Sequence, residues 1–248
     1  MKKPAEIIKE AEYLANIYND NSLNIYFEAS HFIPTIDWAK EFADLYQKKN
    51  ANFKWRCTTR VDKFEPEIVG FLSKTNLKVV DLGLESASLR QLKIMEKSKN
   101  PESYLEKAEK LIKTLAKYGI WAKLNILLYA GETLETVSET LKWLEKNKNN
   151  IKGISANPLS IYRNGNETQP FIEHVEEASG IKLSPSKHEE LEKNGITYPD
   201  LSKDISYETA IELSREIARK YMSQDDENDL KSIGYRPRVN FKTQHDNL

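Results

Sequence analysis

Apolar residues along this chain fall into two alternating rhythms. One has the three-and-four spacing of an amphipathic helix. The other is a short apolar run of the kind that makes a buried strand. Pro4–Tyr18 carries the first rhythm, with Ile7, Ile8, Ala11, Leu14, Ala15 and Tyr18 in one stripe and Pro4 tolerated in the first turn. Residues 23–27 carry the second and run into Glu28-Ala29-Ser30-His31. A second helix is predicted after Asp37, read as its cap, with Trp38, Phe42, Leu45 and Tyr46 on one face. A strand follows over 53–57, ending in Thr58-Thr59-Arg60-Val61-Asp62, and then a helix over 66–74.

The stretch 78–131 shows the unit most clearly. Residues 78–84 form an apolar run that ends in Glu85-Ser86. Residues 101–118 place Tyr104, Leu105, Ala108, Leu111, Ile112 and Leu115 at helical spacing, closed by Gly119. Residues 124–129 form a second apolar run that ends in Ala130-Gly131-Glu132-Thr133. This is strand–helix–strand, the unit of parallel sheets, with polar residues where each strand stops. Ligands in such folds sit at the carboxyl ends of strands. A helix over 133–146 and an apolar stretch over 153–162, interrupted by Pro158, continue the rhythm.

The repeat of ~30–35 residues is the size of a βα unit. The fold expected is α/β, a partial parallel (β/α) barrel of about five strands that enters after the first strand of a complete one. The rhythm stops after Tyr162, so residues 1–162 read as the barrel portion and 163–248 as an irregular, partly helical C-terminal extension. Within it, 163–204 is an excursion rich in Asn, Glu, Ser and Pro with a short helix. Residues 207–222 make an amphipathic helix, and 233–248 are polar and basic and expected to fray. Tyr198, Tyr207, Tyr221, Tyr235, Arg236 and Arg238 read as a covering for the open side of the barrel rather than a substrate contact.

Composition removes several functions. The 248 residues are 39% hydrophobic and 30% charged with a net charge of -1, which gives no electrostatic case for nucleic acid or an anionic membrane. No apolar run approaches membrane-spanning length and no signal peptide is read, so a cytoplasmic protein is expected. The single cysteine, Cys57, excludes an intrachain disulfide and any multi-cysteine metal site in these residues. The four histidines, His31, His174, His188 and His245, lack ligand spacing, so no metal site is assigned.

An ordered series of motifs remains: Trp55-Arg56-Cys57-Thr58-Thr59-Arg60-Val61-Asp62, Asp81-Leu82-Gly83-Leu84-Glu85-Ser86, Met95-Glu96-Lys97, Tyr118-Gly119-Ile120 and Ala130-Gly131-Glu132-Thr133. This series resembles the radical SAM superfamily, especially members joined to a cobalamin-binding domain. The resemblance implies a partial (β/α)₆ barrel. It also implies a four-iron four-sulfur cluster on three cysteines of a CxxxCxxC loop, and S-adenosylmethionine (SAM) that the cluster cleaves to a radical. The chain has no such loop, and one cysteine cannot hold the cluster. The cluster is therefore expected only from a missing N-terminal part or a partner chain.

By the same resemblance, Glu28, Arg60, Glu85, Ser86, Gly131 and Glu132 are the cofactor-binding candidates; no catalytic residue is named. Glu85, Ser86, Arg60 and Glu132 have plain structural alternatives. Glu85 pairs with a nearby Lys or Arg, and Ser86 caps the next turn. Arg60 bridges Asp62 or Glu85. Thr133 caps a helix that Glu132 and Glu135 favour by charge. Leu128 and Ala130 stand where the family pattern has glycine and proline, and Glu28 stands one or two residues before its usual acidic positions. Lys123 and Asn125 alternate with apolar neighbours and read as interior-facing. The functional expectation is the C-terminal portion of a radical SAM enzyme, truncated or split. The alternatives are a degenerate, non-catalytic barrel acting as a scaffold, and an unrelated α/β domain. A barrel lacking its first strand exposes a sheet edge, so a partner chain carrying the cluster loop, or self-association, is expected there.

Overall fold

The computed structural model describes residues 1–20, 22–29, 32–162, 166, 168–183 and 195–233. Helix α1 (Pro4–Tyr18) leads into β1 (Asn24–Phe27), followed by α2 (Ile36–Lys48), β2 (Lys54–Arg60), α3 (Pro66–Leu72) and β3 (Leu77–Glu85). Then come α4 (Leu89–Ile94), α5 (Pro101–Lys117), β4 (Trp121–Leu128), α6 (Leu134–Asn147) and β5 (Gly153–Pro158). The remaining elements are β6 (Ile161–Tyr162), α7 (Thr168–Ser179), β7 (Ile196–Thr197), α8 (Tyr207–Tyr221) and α9 (Gln224–Ser232).

Strands β1 to β5 form one sheet in sequential order, every pair parallel. Sequential order is the winding of a β/α barrel, since each crossover helix returns the chain to the neighbouring position on one face. The expected partial parallel barrel of five strands is therefore observed, as an open sheet. Register fixes its two faces. Trp55 and Cys57, Val80 and Leu82, and Ala122 and Leu124 are fully or almost fully buried against the helical layer of Phe42, Ile68, Leu72, Leu111 and Leu115. The alternating residues Arg56, Thr58 and Arg60, then Val79, Asp81 and Gly83, then Trp121, Lys123 and Asn125, share the opposite, inner face.

The structure corrects several expectations. Thr35, not Asp37, caps α2: its side chain accepts from the Trp38 N–H, while Asp37 sits in the first turn. The apolar stretch 153–162 is not one strand. Pro158 ends β5, and β6 pairs antiparallel with β7 in a separate ribbon. Two helices escaped the apolar pattern. Short α4 is started by Ser88, and α9 has the polar sequence QDDENDLKS. It is set by a Ser223–Asp226 capping box instead of a stripe. Tyr18 and Ile17 of α1 are exposed, so its buried stripe reduces to Pro4, Ile8 and Ala11.

Helix α8 packs on β5. Helix α9 lies across the amino-terminal end of the inner face, where Leu230 and Ile233 form a small second core with Val79, Trp121 and Met222. Gly153 lies close beneath it: a Cβ at this position would lie 2.7 Å from Leu230 Cδ1 and 2.8 Å from Met222 Sδ, so those side-chain ends would have to move. The expected fraying stretch 233–248, with Tyr235, Arg236 and Arg238, falls outside the described residues apart from Ile233. No helix among the described residues is long and apolar enough to cross a membrane.

Candidate functional site

Because the five strands are parallel, their carboxyl ends share one rim, which gathers the segments holding Glu28, Arg60, Glu85 and Glu132. Glu28 follows β1 and is exposed; its carboxylate makes no hydrogen bond or ion pair among the described residues. Ser30 and His31 lie outside those residues. Arg60 ends β2. Its Nε donates to Asp62 Oδ1 at 2.9 Å, and its Nη2 donates to Asp62 Oδ2 at 3.2 Å and to the Lys97 carbonyl at 2.7 Å. Burial pushes the Asp62 carboxyl up, but the hydrogen bonds and charge of Arg60 prevail and hold it below the ordinary range.

Glu85 ends β3 in the left-handed region, at φ 65°, where the β3–β4 register shifts. A non-glycine residue held there stores strain. Its carboxylate folds back over Gly83, where a Cβ would lie 2.7 Å from Glu85 Oε1, and takes the Lys97 ammonium at 2.9 Å. Tyr104, buried on α5, fixes this strand end by donating to the Gly83 and Leu84 carbonyls at 2.8 and 3.1 Å. Asp62, Arg60, Lys97 and Glu85 are thus one half-buried chain of contacts over the ends of β2 and β3. The sequence held Lys97 in a quoted motif without assigning it a role; the signal was its place just after a short helix that follows a strand.

Ser86 and Glu132 are not part of that chain. Both are buried against α6. The Ser86 hydroxyl shares a hydrogen bond with Thr140 Oγ1 at 3.1 Å and accepts from the Ser88 N–H. Glu132 accepts from Thr136 Oγ1 at 2.6 Å and from the Tyr129 N–H at 3.3 Å. Thr136 and Thr140 are one turn apart on one helix face, so α6 ties down the ends of β3 and β4 together. Burial pushes the Glu132 carboxyl up to about 7, with the Thr136 and Tyr129 hydrogen bonds pulling the other way. Thr133 is the N-cap of α6. Gly131 has φ 79°, donates its N–H to the Leu201 carbonyl at 2.7 Å, and lies beneath Ser179 and Ile94.

A four-iron cluster does not fit the thiols present. Cys57 is fully buried on the helical side of β2, away from the rim, and burial raises its thiol pKa, with Asp81 adding to the effect. No group of three or more His, Cys, Asp or Glu among the described residues could hold a metal ion. His174 on α7 lies near Glu96, at 3.7 Å.

The family model of the radical SAM superfamily matches residues 2–144, more than half of the sequence. The chain belongs to the radical SAM superfamily. Its fold is similar to that of a radical S-adenosylmethionine methyltransferase, TsrM from Kitasatospora setae, solved with tryptophan and a SAM analogue. That match has 19% identity and TM-score 0.58, and covers 75% of this chain and 35% of that one. It is also similar to the cobalamin-dependent SAM radical enzyme OxsB, with 14% identity and TM-score 0.51, covering 89% of this chain and 32% of that one. Elp3 from Methanocaldococcus infernus matches with 14% identity and TM-score 0.50, over 89% of this chain and 51% of that one. The radical SAM chain described here thus spans about a third to a half of the length of these structures. No curated protein matches the sequence.

Proposed function

We propose that this radical SAM chain is the SAM- and substrate-facing wall of an enzyme whose cluster is ligated by cysteines outside these 248 residues. Those cysteines would lie in another part of the same protein or in a partner chain. One observation carries the reading: a superfamily match over 2–144 coincides with a parallel sheet whose only thiol is buried away from the rim. Residues 1–162 supply the wall and 163–248 the extension. In the superfamily SAM supplies the hydrogen-abstracting radical; the residues here would bind and orient it. Glu28 offers an exposed carboxylate to an ammonium group. The Glu85–Lys97 pair offers an acceptor and a donor at the rim. The sheet edge at β1, with β2 on one side only among the described strands, is the place for the cluster-bearing segment, or for a second copy. The setting is the reducing cytoplasm, where such a cluster survives.

A second reading is favoured by one detail. The Glu132 carboxylate and the Gly131 N–H are both consumed by internal contacts. A non-catalytic scaffold would tolerate this. Co-expression with the cluster-bearing polypeptide, anaerobic purification and calorimetry with SAM separate the two. SAM binding that weakens in Glu85→Gln and accompanies 5′-deoxyadenosine release supports the enzyme. A cluster-loaded complex that binds no SAM leaves the scaffold.

A further inference from the structure

Beyond the small apolar cluster around Val79 and Trp121, the inner face of the sheet is polar toward the rim, while its outer face is apolar and closed. At its centre, Arg56 takes both oxygens of Asp81, with Nη2 at 2.7 Å from each. Lys123, the next cation on this face, is left with longer contacts: Asp81 Oδ1 and Asn125 Oδ1, each at 3.4 Å. Two cations therefore share one carboxylate, and the Lys123 side chain is only 15% exposed. Register places Asn125 beside Ser155 of β5, one step nearer the rim. Both are half-buried, and neither the Asn125 amide nitrogen nor the Ser155 hydroxyl donates to a group among the described residues. The amino-terminal end of the face is covered by α9 through Leu230 and Ile233, so approach is from the rim.

We infer that Lys123, Asn125 and Ser155 form a binding site for a carboxylate of the substrate, on the inner face below the rim. The warrant is charge and donor count. An ammonium whose one carboxylate neighbour among the described residues is already held bidentately by Arg56, flanked by an amide and a hydroxyl donor, favours an anionic acceptor over a neutral one. A planar carboxylate can accept from all three. The inference rests on the reading above only in taking the bound molecule as substrate; the site itself stands without SAM or cluster.

The test uses the full chain alone, with succinate as probe and succinamide as its neutral counterpart, read by saturation-transfer NMR and calorimetry. Succinate should bind with a Kd in the millimolar range or tighter, and succinamide should not. Lys123→Met should weaken succinate about tenfold or more, the scale of one charged hydrogen bond. Lys123→Arg should retain binding, and Lys146→Met, at an exposed lysine paired with Glu109, should change nothing. Asn125→Asp keeps the side-chain shape and should abolish binding by adding a negative charge, so it carries the test if Lys123→Met does not fold. Absence of succinate binding, equal binding of succinamide, or unchanged binding in a folded Lys123→Met or Asn125→Asp overturns the inference. Because SAM is absent, none of these results bears on the enzyme reading, and the calorimetry with SAM leaves this site untouched.

Discussion

Arg56 and Asp81 face each other across β2 and β3 as a buried bidentate pair, with Nε 3.0 Å from Oδ2 and Nη2 2.7 Å from Oδ1. Arg56 Nη1 also donates to the carbonyls of Leu230 and Ile233, at 2.8 and 2.9 Å, at the end of α9. A guanidinium there complements the negative end of the helix dipole and satisfies carbonyls the helix cannot. Removing it leaves the buried Asp81 carboxylate with only the longer Lys123 contact, at 3.4 Å. Arg56→Met should lower stability by about 3–5 kcal/mol in urea unfolding. The double variant Arg56→Met/Asp81→Leu should recover much of that. Equal loss in both variants would show that the pair itself is not the source.

Gly153→Ala tests the floor under α9. The added methyl meets the Leu230 and Met222 side-chain ends, which must move and loosen the seat of α9 while the sheet stays paired. The expected cost is about 1–3 kcal/mol. Proteolysis within 224–232 should accelerate far more than cleavage in the sheet. Unaltered proteolysis would mean that α9 adapts without leaving.

Glu132 makes stability depend on pH. Burial raises its folded-state value to about 7 from an ordinary 4.5, so the folded chain holds this proton more tightly than the unfolded one. This contribution is fully present below about 4.5 and is lost as pH rises through about 7. The loss amounts to roughly 3 kcal/mol. Glu132→Gln should flatten the stability profile between those limits. A slope unchanged in the variant would assign it to other groups.

Gly83→Ala perturbs the rim without threatening the fold. The new methyl collides with the far end of Glu85, a flexible side chain, and stays 3.7 Å from Lys97 Nζ. Melting should change by about 1 kcal/mol or less. SAM affinity of the cluster-loaded complex should fall about tenfold as the Glu85–Lys97 pair separates. Normal affinity would remove that pair from the cofactor's contacts.

Cys57 should resist alkylation in the native chain and react only on unfolding, because the thiolate is disfavoured in the core. Cys57→Ala should leave the iron content of a cluster-loaded complex unchanged. Rapid native labelling, or lost iron, would contradict the assignment of the ligands elsewhere.

The sequence by itself determined the repeating βα order, the parallel sheet and the superfamily. Apolar periodicity and strand-end polar residues are local properties, and they survive in the chain as spacing. It also exposed the absence of cluster cysteines, a matter of counting. Only the tertiary structure decided which polar groups meet. Arg56 and Asp81 are 25 residues apart and pair because β2 and β3 are in one register. Glu85 folds back to Lys97 because Gly83 leaves room for its carboxylate. Glu132 turns into α6 because Thr136 sits one turn into that helix. Helix α9 carried no apolar stripe, since its place is fixed by caps, one leucine and a guanidinium from another strand. Side-chain partnership across strands depends on register and burial, which no single stretch of sequence encodes.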